Sequence, residues 1–194
     1  MSVLVGNVWW MGWNLVLALV PLGLSRYLFG RRSRPPWLLW TGGVVFVAFL
    51  PNAPYVLTDI LHVPADMAQT NDDPWLAAAV LAQYAVLIGV GFLAYVLSLV
   101  RFERWLAGRG LSPRAVLGID VALHALCAVG ILLGRVFRFN SWDVVTDPWG
   151  LAEMLRVPQP RTVVVLVVLF AVLAGGAAVL RALPAILTRV ARSV

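Results

Sequence analysis

Five apolar stretches, roughly 8–29, 37–61, 75–100, 115–134 and 162–180, constrain this chain more than any other feature. Each is long enough to cross the hydrocarbon core of a bilayer, which takes about 20 residues of α-helix. Lipid offers no hydrogen bonds, so a spanning segment must satisfy its own backbone. The expected fold is therefore all-α: a polytopic transmembrane helix bundle of about five spans. We read residues 1–194 as a single transmembrane domain. The composition agrees, with 61% hydrophobic and 12% charged residues and a mean hydropathy of +0.89. A water-soluble domain carries about twice that charged fraction.

Orientation follows from the arginines. Every basic residue other than two histidines is arginine, and the net charge is +6. Arg26, Arg31, Arg32 and Arg34 flank the first inter-span turn. Arg101, Arg104, Arg109 and Arg114 flank the third, and Arg181, Arg189 and Arg192 lie in the tail. An odd number of spans puts these eleven on one side and the remaining four on the other. Basic loops stay cytoplasmic, so the N-terminus is expected outside and the C-terminus inside a bacterial cytoplasmic (inner) membrane. Lipid headgroups and topology explain the positive charge better than nucleic acid does, and we read no nucleic-acid partner. Trp9, Trp10, Trp13, Trp75, Trp142 and Trp149 fall at the expected outer interface, and Trp37, Trp40 and Trp105 at the inner one. The first 29 residues lack the basic start and small-residue cleavage site of an ordinary signal peptide. No internal repeat is visible.

Some polar residues sit where lipid tolerates few. "FLPNAPYVLTDILH", Phe49–His62, carries Pro51 and Pro54 in the outer third of the second span. Each proline removes a backbone donor and crowds the carbonyl one turn back, near Val47 and Leu50, so a break or kink is expected. Asn52 is placed to cap a new helical segment starting at Ala53 or Pro54. If that segment is α-helical, Asn52, Tyr55, Asp59 and His62 share one face. The face is either the wall of a polar cavity or a kink whose polar groups satisfy freed backbone.

The fourth span holds a second stripe, with Asp120, His124, Cys127, Ile131, Arg135, Arg138 and Trp142 at helical spacing. Asp120 and His124 form an intramembrane polar pair. Such a pair either ties this helix to a neighbour, with Asn14 of the first span as a partner, or relays protons or ions. Arg135 and Arg138, followed by Asn140, Ser141 and Asp143, close the outer end of the span. Arginine binds phosphate and carboxylate through planar bidentate contacts. These groups, with Asn52, Tyr55, Asp59 and His62, form the candidate ligand-binding set, suited to an anionic lipid headgroup. The alternative is an Asp59–Arg clamp between helix ends.

His124 lies roughly 15 Å along its helix from the cytoplasmic end, and Asp59 roughly 30 Å along its own. These groups are therefore not expected to share a metal centre, and no metal site is assigned. An outer carboxylate set of Asp59, His62 and Asp143 stays open for a divalent cation. The lone Cys127 excludes an internal disulfide and CxxC chemistry. GxSxG, HExxH and P-loop motifs are absent. No catalytic residue and no cofactor follows from the sequence.

"LPNAPYVLTDILH" and "GRVFRFNSWD", with the order and spacing of the spans, resemble a family of bacterial multi-pass proteins called domain of unknown function 1361. The resemblance covers roughly 37–160. It implies an integral membrane protein and carries no reaction with it. Three functions stay open: binding of an anionic lipid headgroup or a membrane partner, an intramembrane enzyme acting on a lipid or envelope precursor with Asp59 or His62 as base, and a small ion- or proton-coupled transporter that works as an oligomer.

Overall fold

The computed structural model describes residues 3–30, 34–136, 149 and 159–182. Arg138, Asn140, Ser141 and Asp143, most of residues 148–156 and most of the basic tail lie outside the described residues. Five helical segments are long and apolar enough to cross a membrane: Val3–Leu28, Pro36–Thr70, Pro74–Ala107, Pro113–Arg135 and Pro160–Ala182. No strand occurs among the described residues. The all-α membrane-spanning reading therefore holds, and each observed segment overlaps an expected span. The second and third run longer than expected, at 35 and 34 residues. A straight α-helix of that length covers about 50 Å against a hydrocarbon core of about 30 Å, so both extend past the apolar slab.

Helix boundaries follow local chemistry. Helix α1 is Val3–Leu28 and α2 is Pro36–Phe49. The third span, α5 (Pro74–Ala107), is capped by Asp73, whose Oδ1 accepts from the backbone of Trp75 (2.9 Å) and Leu76 (3.2 Å). The turn after α5 contains Gly110, whose φ of +86° suits a residue without Cβ. Helix α6 (Pro113–Val136) begins behind Ser112, whose hydroxyl accepts from Ala115 N–H at 3.3 Å, with Pro113 next in the chain. Helix α7, Pro160–Ala182, starts on a proline as well.

The second span breaks where its prolines stand. Short helix α3 (Asn52–Tyr55) comes after α2, then a 3₁₀ segment (Val56–His62), α4 (Val63–Met67) and a last 3₁₀ turn (Ala68–Thr70). Two expectations need correction here. Asn52 is not a cap: it is the first residue of α3, and its amide reaches back to donate to Phe49 O at 3.1 Å. The break leaves carbonyls short of donors, and the nearest amide answers one of them. Leu50 O, facing proline at the i+4 position, accepts from Ala53 N–H at 3.2 Å. The other correction concerns the polar face. With three residues per turn, the 3₁₀ segment does not continue an α-helical stripe. Asn52 and Tyr55 are half-buried, Asp59 is buried, and His62 is exposed.

The chain forms two compact units, Met1–Arg101 and Phe102–Val194. In the first, α1 packs against α2 and α3. Phe46, Leu50, Ala53 and Val56 are wholly buried there. Gly91 of α5 lets the broken segment approach closely. A Cβ on it would meet Val56 Cγ2 at 2.5 Å and Ala53 O at 3.0 Å. Gly91→Ala is therefore expected to cost about 1–3 kcal/mol by overpacking. Gly89→Ala, in open space on the same helix, is expected to be neutral or stabilising by up to about 1 kcal/mol. Thermal unfolding of the two variants side by side checks the contrast. In the second unit, α6 packs against α7.

Candidate functional site

Two polar clusters stand out, one in each unit. The first is built on antiparallel rungs between α1 and the segment beyond the proline break. Asn14 Nδ2 donates to Asp59 Oδ2 at 3.1 Å, and Asn7 Nδ2 donates to Asp66 Oδ2 at 2.5 Å. Each partner pair is offset by seven residues on both elements, about two helical turns along α1. Tyr84 of α5 donates its hydroxyl to the same Asp66 Oδ2 at 2.7 Å. Asp59 is 1% exposed and Asp66 9% exposed. A buried carboxylate needs such donors, because desolvation otherwise disfavours its charge.

The frame also fixes an aromatic pair. Asn7 Oδ1 accepts from Trp10 Nε1 at 3.1 Å, so one amide joins Trp10 to Asp66. The Trp10 ring lies 5.3 Å from the His62 imidazole and 6.2 Å from the Tyr84 ring. His62 Nδ1 lies 3.3 Å from Asp59 O and 4.0 Å from Asp59 Oδ1. The imidazole side chain is 49% exposed while the carboxylate beneath it is buried. Gln83 reaches Leu4 O at 3.2 Å and closes the α1–α5 contact.

Of the expected outer set, the structure brings Asp59 and His62 together. Asn52 serves the backbone, and Tyr55 is half-buried just before the 3₁₀ segment takes over. Arg135 stands in the last turn of α6, in the other unit. The residues that complete the frame are ones that sequence reasoning does not select: Asn7, Trp10, Asp66 and Tyr84. A signal exists, since Asn7 and Asn14 share the spacing of Asp59 and Asp66. Trp10, expected as part of an interfacial belt, also belongs to this frame.

The second cluster lies in the second unit. Asp120 and His124 do meet, with His124 Nε2 3.5 Å from Asp120 Oδ1. Their partner is not Asn14, which binds Asp59 instead. It is Arg181 of α7, whose Nη1 and Nη2 donate to Asp120 Oδ2 and Oδ1 at 2.8 and 2.9 Å. Arg181 Nη2 also donates to Glu103 Oε1 of α5 at 2.7 Å. A guanidinium answers both carboxylate oxygens at once and neutralises the charge, which an amide cannot do. Sequence reasoning misses Arg181 and Glu103 because each sits in a basic, span-flanking stretch that topology explains by itself.

Among the described residues, no three His, Cys, Asp or Glu side chains gather as a metal-binding group. Arg138, Asn140, Ser141 and Asp143 lie outside those residues.

No curated protein and no solved structure matches the chain at a significant level. The family described as protein of unknown function (DUF1361) matches residues 13–175, a range that holds both clusters except for Asn7, Trp10 and Arg181. The chain is a membrane protein by its five apolar helices, and it belongs to the DUF1361 family.

Proposed function

We propose that this protein binds an anionic lipid headgroup at the extracytoplasmic end of its second and fourth spans, in a bacterial cytoplasmic membrane with the N-terminus outside. The observation that carries this reading is the half-exposed His62 imidazole, mounted on Trp10 above the buried Asp59. The Asn–Asp rungs hold that mount in place, so little order is lost on binding. Buried acids alone would repel an anion. In this proposal Arg135 and Arg138 supply the guanidinium forks for the phosphate, with Asn140 and Ser141 as further donors and Asp143 as a charge partner. The distribution of arginines supports the orientation.

One arrangement favours a second reading. An exposed imidazole with its Nδ1 facing a backbone carbonyl and a buried carboxylate resembles the oriented base of a hydrolytic enzyme. In that reading a lipid or envelope precursor is substrate rather than ligand. The transporter reading has less support, because Asp120 is engaged by both arms of Arg181.

Native mass spectrometry of gently purified protein tests the leading reading. Wild type is expected to retain a phosphate-bearing anionic lipid. Arg135→Ala/Arg138→Ala should lose it, and His62→Ala should weaken it. Retention of the same lipid by the double variant, with folding intact, would overturn the headgroup proposal. Turnover of that lipid in a vesicle assay, abolished by His62→Ala, would move the enzyme reading to first place.

A further inference from the structure

Pro64 stands two residues after His62, exposed in the first turn of α4. An α-helix running through this point would set the Ile60 carbonyl against the Pro64 ring, which crowds it and has no N–H to give. In the structure Ile60 O accepts from Val63 N–H instead, one residue early. The same shift occurs ten residues upstream, where Leu50 O faces Pro54 and accepts from Ala53 N–H at 3.2 Å. The 3₁₀ segment Val56–His62 thus runs between two prolines, each of which shortens a hydrogen bond from four residues to three. At seven residues it is longer than most such runs, which seldom exceed about four.

The diverted amide has a second consequence. In an α-turn Val63 N–H would donate to Asp59 O, four residues back. With that amide on Ile60 O, the Asp59 carbonyl is open to the His62 ring, whose Nδ1 lies 3.3 Å from it. A carbonyl oxygen only accepts, so Nδ1 carries the hydrogen of this contact whether the ring is neutral or protonated. The hydrogen bond at one ring nitrogen decides the role of the other. Any contact the ring makes with a ligand is therefore through Nε2. The Trp10 ring, 5.3 Å from the imidazole, backs that placement.

We propose that Pro64 is the positioning residue of the His62 site. It keeps Val63 N–H off the Asp59 carbonyl, so that His62 holds Nδ1–H there and turns Nε2 to the headgroup. The ligand in this proposal rests on the headgroup reading above; the orientation of the ring rests on the backbone alone. Pro64 is not a member of the Asn–Asp rungs. Pro64→Ala returns an N–H that can serve Ile60 O. Val63 N–H then goes back to Asp59 O and displaces Nδ1.

The test is NMR of the histidine ring nitrogens in the full chain, in detergent micelles. The chain has two histidines. The signals lost in His62→Ala are those of His62, and His124 serves as an internal reference. Ring shifts followed through a pH titration give the tautomer of the neutral form. Wild-type His62 should be the Nδ1–H tautomer. Pro64→Ala should move it toward the Nε2–H form that a free histidine side chain prefers, with the His124 signals and the unfolding midpoint as in wild type. Native mass spectrometry of the same samples should show Pro64→Ala retaining the phosphate lipid no better than His62→Ala does. A wild-type His62 in the Nε2–H form would overturn the proposal, and so would an Nδ1–H form that persists in Pro64→Ala. Full lipid retention by Pro64→Ala where His62→Ala loses lipid would overturn it as well. A wild type that shows the Nδ1–H form and retains no lipid would sink the headgroup reading alone and uphold the role of Pro64 in orienting the ring.

Discussion

Arg181→Met is expected to lower the stability of the purified protein by about 3 kcal/mol, toward the lower end of what removing one member of a buried ion network typically costs. Arg181 is the cation for two carboxylates, Asp120 at 2.8 and 2.9 Å and Glu103 at 2.7 Å. Without it, two neighbouring carboxylates are left poorly solvated with no cation between them. The lower end applies because Arg181 and Glu103 are 28% and 23% exposed, and solvent screens part of the loss. Arg181→Lys should fall between, since lysine keeps the charge and loses the two-pronged fork. Adding Asp120→Asn to Arg181→Met should recover part of the loss, and the difference from additivity measures the coupling. Denaturant titration of wild type, Arg181→Met, Arg181→Lys, Asp120→Asn and the double variant in one detergent checks this. A loss below about 0.5 kcal/mol for Arg181→Met would mean the network does not stabilise the second unit, since surface-like pairs are worth that little.

The second large effect lies in the other unit. Asp66→Ala is expected to cost about 2–4 kcal/mol, because it strips the acceptor from Asn7 Nδ2 and the Tyr84 hydroxyl together. Both donors are on buried residues, Asn7 at 6% and Tyr84 at 2% exposure, so water cannot readily replace the carboxylate. Asp66→Asn keeps one carbonyl oxygen facing them and should cost clearly less. The loss should also reach Trp10, whose indole N–H is held by the same Asn7 amide. A blue or red shift of tryptophan emission in Asp66→Ala, absent from a Trp10→Phe background, separates that local release from general loosening. Equal stability of Asp66→Ala and wild type would contradict the frame.

The fold was largely legible because its main signal is long and redundant. Twenty apolar residues cannot be satisfied by many structures, and each of the five runs met that condition separately. Pro51 and Pro54 announced the break for the same reason: a missing donor has the same consequence in any sequence context. The course of the chain after the break is less determined. Val56–His62 continues as a 3₁₀ segment rather than an α-helix, and that choice decides that Asp59 is buried and His62 exposed. An α-helical period gives the two residues a common face and so misjudges their environments.

The site was legible in part for a different reason. Asp59, His62, Asp120 and His124 stood out as ionisable groups in apolar runs. Their partners did not, because Asn7 and Asp66 lie near span ends, where polar residues are ordinary, Tyr84 is an aromatic residue inside an apolar span, and Arg181 and Glu103 flank spans in arginine-rich stretches. Only the packing of α1 against the broken segment, and of α6 against α7, shows which of these ordinary residues are engaged.

The central claim is that His62 is presented to the extracytoplasmic side from a buried polar frame. Thiol labelling of intact cells tests it most directly. Native Cys127 is buried, so it gives a low background. His62→Cys should react with a membrane-impermeant maleimide in intact cells, whereas Arg109→Cys should react only after permeabilisation. Labelling of Arg109→Cys but not His62→Cys in intact cells would reverse the orientation and remove the extracytoplasmic headgroup site with it.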